Sequence, residues 1–185
     1  TLVSAQISII PEFLQKMELW ENEKDFIVKK DEIVNKHTGS RILFRGIKTS
    51  SGNQTANLKS IQGLTCWVLD EAEEMVNEDE FDKIDLSIRT KGMTNRVILV
   101  LNPSHVEHWI YKRFFESGEV LGVTYIHTTY LDNLSNLDAS FVNIAERAKE
   151  DNNEKYRHVY LGHWGTVADS VFSDGFSLYK PDIES

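Results

Sequence analysis

Two short, unbroken apolar runs, each cut off abruptly by polar residues, constrain this chain more than any other feature. Cys66-Trp67-Val68-Leu69 runs straight into Asp70-Glu71, and Ile98-Leu99-Val100-Leu101 into Asn102-Pro103. A run with no polar alternation, bounded by Gly63 on one side and acids on the other, fits a strand buried on both faces, as in a parallel sheet. The segments between such runs read as helices. Residues 78–90 place Phe81, Ile84 and Ile88 inward with acids outward, and residues 106–116 gather Trp109, Ile110 and Phe114 on one face. Val120 to Ile126 reads as a third strand, ending in His127-Thr128-Thr129-Tyr130. A loop with Asp132-Asn133 then leads to helices near 138–150 and 153–161. Strand, helix, strand, helix, strand predicts an α/β fold with a mainly parallel sheet flanked by helices. In such sheets ligands bind beyond the carboxyl ends of the strands, where Asp70-Glu71 and Asn102 both fall.

The front of the chain follows another pattern. Leu2, Val3, Ile7, Ile10, Phe13, Leu14, Met17 and Trp20 recur at helical spacing, with Pro11 starting or kinking a turn. Strand-like runs at 25–29, 32–36 and 41–47 surround the turn His37-Thr38-Gly39-Ser40, which predicts a small antiparallel hairpin element. Residues 48–60 are polar and read as a loop. Beyond residue 165 periodicity fades, so residues 1–168 read as one domain portion and 169–185 as a linker.

Composition narrows the options. A chain of 185 residues that is 41% hydrophobic can bury about 70% of its unfolded surface in one core. No apolar stretch reaches the ~20 residues of a membrane span, and no signal peptide opens the sequence. The chain starts at Thr1 and reads as structured from the outset, so it is expected to be a piece of a longer protein. Cys66, the lone cysteine, excludes an internal disulfide and is expected to be a small core residue. A net charge of −9 argues against strong DNA binding by these residues alone, because broad phosphate neutralisation needs a basic surface.

Hydrolysis of ATP needs a magnesium ion on the phosphates and a group that orients the attacking water. A carboxylate closing a buried strand serves the ion, and one immediately after it points to the γ-phosphate side. Asp70 and Glu71 supply both; the plainer reading is two solvated acids leading into a helix N-terminus, where acids are favoured anyway. Asn102, closing the neighbouring strand, would sense the γ-phosphate or hold the water, or it simply starts a turn with Pro103.

The order Phe44-Arg45-Gly46-Ile47, Leu58-Lys59-Ser60-Ile61-Gln62-Gly63, Trp67-Val68-Leu69-Asp70-Glu71-Ala72-Glu73, Ile88-Arg89, Leu101-Asn102-Pro103 and Tyr156 through Gly165 resembles the large terminase subunit of tailed bacteriophages over about residues 1–168. The resemblance implies a RecA-like P-loop NTPase core, here a C-terminal portion of an ATPase domain whose parent also carries a nuclease domain. It implies ATP and Mg2+ as cofactors. Its implied partners are double-stranded DNA, a portal protein, a small terminase subunit and further copies in a ring, acting in the host cytoplasm at the procapsid portal. Asp70 then resembles the Walker B acid on the metal side, Glu71 the catalytic glutamate and Asn102 part of the coupling motif. Lys59 falls where the family places a basic residue acting on a neighbouring subunit's nucleotide, although a loop lysine is also an ordinary solvated charge. Arg89 is either functional or paired with acids of its own helix.

One departure is plain: no Gly-Lys-Ser/Thr occurs, so the backbone cradle that wraps phosphates is not among these residues. The chain alone is therefore expected neither to hydrolyse ATP nor to cut DNA. Two other readings stay open: a helicase-like P-loop ATPase of another lineage, with Glu73 where an Asp-Glu-Ala-His box has its histidine, and a non-catalytic α/β assembly module. The six histidines show no compelling metal spacing, the serines lack a nucleophile-elbow setting, and Trp109, Phe114, Phe115, Tyr156, Tyr160 and Trp164 read as core packing.

Overall fold

The structure, a computed structural model, describes residues 5–46 and 61–166. The chain divides into two compact units, Thr1–Thr65 with Asp82–Arg96, and Cys66–Phe81 with Val97–Ser185. Lys59 and the proposed linker 169–185 lie outside the described residues.

In the first unit a π-turn at Ala5–Ile9 leads into helix α1, Ile10–Leu19, with Pro11 in its first turn, where its missing N–H leaves no unmet bond. The expected apolar stripe is only partly used: Ile10 and Met17 are buried, whereas Ile7, Leu14 and Trp20 are exposed. Strands β1 (Phe26–Val28), β2 (Glu32–Asn35) and β3 (Arg41–Leu43) form an antiparallel meander. Val28, Ile33 and Ile42 stand opposite one another in the register. Period-two alternation puts Phe26, Ile33 and Phe44 on one face, and these pack with Ile10 and Phe13 of α1 into a small core. The other face is mixed: Ile27, Val34 and Leu43 share it with Glu32 and Arg41, and Glu32 lies near Lys29 (2.5 Å) and Arg41 (3.8 Å). The β2–β3 turn is local chemistry: the Asn35 side-chain oxygen accepts from the N–H groups of His37 and Thr38, both at 2.9 Å. Gly39 follows at φ 71°, a conformation that costs other residues energy.

Strand β4 is Cys66–Leu69, and β5, Arg96–Leu99, is its only partner among the described residues. The N–H of Arg96 donates to the Thr65 carbonyl and that of Val100 to the Leu69 carbonyl, both at 2.9 Å, the same offset at either end; the strands run parallel. The expectation of burial on both faces is corrected. Trp67 and Leu69 are covered, but Cys66 and Val68 are exposed, as is Ile98 on β5. The described residues cover one side of the pair, so Cys66 is an exposed free thiol rather than a core residue.

A 3-10 turn at Ala72–Glu74 precedes helix α2, Glu78–Asp85, whose Phe81 and Ile84 are buried, as is Ile88 just beyond it. Helix α3 spans Trp109–Phe114, shorter than the predicted 106–116, because His108 caps it by accepting from the Ile110 N–H. In the second unit Phe81, Trp109 and Trp67 form an aromatic cluster, with ring centroids 4.9 Å apart for Phe81–Trp109 and 5.4 Å for Trp67–Phe81. Arg113 lies 5.0 Å from the Phe81 centroid while holding Glu78 at 3.0 Å.

Val120 to Ile126, predicted as a third strand, belongs to no strand. The Val123 N–H bonds back to the Val120 carbonyl at 3.1 Å and Gly122 has φ 79°, so the run opens on a turn. Asp132-Asn133 lies within a 3-10 segment, Tyr130–Asn136, started by a capping box between Thr129 and Asp132. Helices α4 (Ala139–Asp151) and α5 (Asn153–Val159) agree with prediction and are capped by Asp138 and Asn152. Tyr156, buried on α5, shares a 2.8 Å hydroxyl contact with Tyr130.

Candidate functional site

The parallel sense of β4 and β5 brings their carboxyl ends to one end of the sheet. Asp70 and Glu71 follow β4 directly, and Asn102 follows β5 after Val100 and Leu101. All three are exposed. The backbone at this end is distinctive. Glu71 sits at φ 53° and ψ 47°, the left-handed region that costs an L-residue roughly 1–2 kcal/mol. A regular parallel ladder would return to Val100 through residue 71, but here the Ala72 N–H donates to the Val100 carbonyl at 2.9 Å. Glu71 is thus an extra residue pushed out of the ladder, and its side chain leaves the strand along another path than that of Asp70.

Asn102 does not stand alone. Its amide nitrogen donates to Glu73 Oε1 at 3.4 Å, a contact the sequence did not single out. Glu73 Oε2 is buried and has no hydrogen-bond partner among the described residues. The turn carrying Glu73 is held from the post-β5 side. His108 Nδ1 accepts from the Ile110 N–H, so the proton is on Nε2, which donates to the Glu73 carbonyl at 3.1 Å. The Trp109 indole N–H donates to the Met75 carbonyl. The one signal for Glu73 in the sequence was its place in Asp70-Glu71-Ala72-Glu73, where an Asp-Glu-Ala-His box has its histidine.

The remaining candidates serve structure. His105 and His158 stack at 6.2 Å, and His158 Nδ1 bonds the His163 carbonyl at 2.8 Å. His105 bridges to Gly165, whose N–H donates to the Ser104 carbonyl at 2.7 Å. A Cβ on Gly165 would meet that carbonyl and the His105 ring, each at 3.1 Å, which accounts for glycine there. Arg89 is exposed. Among the described residues no group of three or more His, Cys, Asp or Glu is placed to hold a metal. One or two exposed carboxylates suit a hard cation that keeps most of its ligands from water or phosphate, as Mg2+ does, and no softer ion.

Carboxylates and an amide at the carboxyl end of a parallel pair place the chain in a class, α/β modules, in which ligands bind at the strand ends. The family model described as "Phage terminase large subunit" matches residues 4–163, and the chain belongs to that family. It is similar to the large terminase subunit of Bacillus phage SPP1, 31% identical over an alignment of 134 residues that covers 67% of this chain and 30% of that protein. Its fold is similar to that of the large terminase from a thermophilic bacteriophage, with a TM-score of 0.64 at 18% identity, covering 89% of this chain and 39% of that one. A second structure of the thermophilic phage protein, in complex with ADP, matches with a TM-score of 0.58 at 19% identity over 89% of this chain and 38% of that one. The chain thus spans about a third of the length of these relatives.

Proposed function

We propose that this chain is a C-terminal portion of the ATPase domain of a terminase large subunit, part of a RecA-like P-loop core that powers DNA translocation. The observation that carries this reading is the common end of β4 and β5, where Asp70, Glu71 and Asn102 collect. The ADP bound to the thermophilic phage relative supports a nucleotide as the ligand. In this reading Asp70 holds the ion. Mg2+ held there would supply positive charge to offset the negative charge that develops on the phosphates. Glu71 orients the attacking water, and its path out of the ladder separates it from Asp70. Asn102 ties the state of the ligand to the end of β5, and Lys59 acts on the nucleotide of a neighbouring copy. Double-stranded DNA, a portal protein and a small terminase subunit are the partners of the parent, a ring its assembly, and the host cytoplasm its place of work. A nuclease belongs to the parent's remaining length.

The test is steady-state ATP hydrolysis by the full-length subunit with and without Glu71→Gln. Turnover is expected to fall about 10²- to 10⁴-fold, the usual contribution of a positioned acid–base group. Unchanged turnover would sink the assignment. The 185-residue chain assayed alone is expected to give no turnover, for want of a phosphate-binding loop.

A further inference from the structure

We infer that Glu73 is a positioning residue that sets the orientation of the Asn102 amide, so that Asn102 presents its carbonyl oxygen to the reacting water rather than its NH2 group to a phosphate. The inference rests on the ATPase reading and deepens it. An ionised carboxylate is acceptor-only, so whichever amide atom faces Glu73 Oε1 must be the nitrogen. The 3.4 Å contact therefore fixes the amide's sense, and Asn102 Oδ1 turns away from Glu73 as an acceptor. An acceptor oxygen repels phosphate oxygens and receives a hydrogen from water. Glu73 can do this only if its own position is fixed, and it is. The Ala72 N–H is bonded to Val100, the Glu73 carbonyl to His108 and the Met75 carbonyl to Trp109. Three ties from the β5 side thus hold one turn at the end of β4. Glu73 Oε2, buried without a partner among the described residues, makes a protein donor at Oε1 the more valuable, since an under-bonded buried carboxylate is costly.

The experiment measures kcat and KM for ATP in the full-length subunit for Glu73→Ala, Asn102→Ala, the double variant and Glu73→Gln, with Glu71→Gln as control. Glu73→Ala is expected to lower kcat about 10- to 100-fold, the range for residues that orient a functional group, with KM changed less than about twofold. Asn102→Ala should match it, and the double variant should lose nothing more, because the two act as one unit. Glu73→Gln keeps the size of the side chain but can meet the amide with either its oxygen or its nitrogen. It should lose kcat nearly as Glu73→Ala does while unfolding like the unsubstituted protein, which separates the role from a failure to fold. Additive losses, a rise in KM alone, or no loss in Glu73→Ala would overturn the role of Glu73. If instead Glu71→Gln leaves turnover intact, the ATPase reading fails, and the role of Glu73 fails with it.

Discussion

The meander β1–β3 and the parallel pair β4–β5 are built from strands of three or four residues, yet they are completed in opposite ways. Each strand of the meander finds its partner across a tight connection. The centre of one face, at Ile33 and Phe44, is closed by the helix immediately before it, and the other face mixes Ile27, Val34 and Leu43 with Glu32 and Arg41. In the pair, the partners are separated in sequence by α2. The apolar character continues onto an uncovered face, and the polar residues are saved for the strand ends. Short-range completion yields a support; long-range completion leaves strand ends and strain where chemistry can be placed.

The largest expected effects test whether each region has its own core. Trp109→Ala, which removes both the stack on Phe81 and the bond to Met75, should cost about 3–5 kcal/mol in urea unfolding. Ile33→Ala should cost about 2–5 kcal/mol. If the units are energetically separate, hydrogen exchange will speed up within the unit mutated and not in the other. Exchange rising equally in both would break the comparison.

Next comes the strain at the strand end. Glu71→Gly removes the left-handed penalty and should leave the chain as stable or up to about 1 kcal/mol more stable, while the parent's ATP turnover disappears. A clear loss of stability would mean that the carboxylate holds the turn together, contrary to the reading above.

How much could be read in advance divides along the same line. The hairpin turn at His37–Ser40, the helices α4 and α5 and the acidic end of β4 were legible, because each rests on residues close in sequence. Burial of Cys66 and Val68 was misjudged because an apolar residue type states what a strand tolerates, not what covers it. The run Val120–Ile126 has the composition of a strand, but the turn at Gly122 diverts it and no described strand pairs with it. Glu73 stood out in the sequence only as the departure from an Asp-Glu-Ala-His box, because its tie to Asn102 depends on the approach of the post-β5 segment.

Smaller effects sharpen the contrast between covered and open faces. Val68, 57% exposed, should accept threonine within about 0.5 kcal/mol in this chain. A markedly greater loss in the full-length subunit would show that the face is covered there. Smallest of all is a surface tie in the meander. The hydrogen bond from His37, at 2.9 Å, holds the Asp25 carboxyl below its ordinary 3.8. A lowered carboxylate pKa contributes stability above the ordinary value and loses it as pH falls through the lowered one. An NMR titration should find the Asp25 midpoint below 3.8, and His37→Ala should return it to the ordinary range.

The extra residue at the end of β4 also has an evolutionary consequence. At position 71 one side chain answers to two separate demands, since backbone shape there favours glycine while the proposed chemistry asks for a carboxylate. A family member with glycine at this position would keep the turn and lose the acid, a folded but silent version supplied by natural variation. If the proposed role of Glu71 holds, only relatives selected for turnover have reason to keep the less comfortable residue.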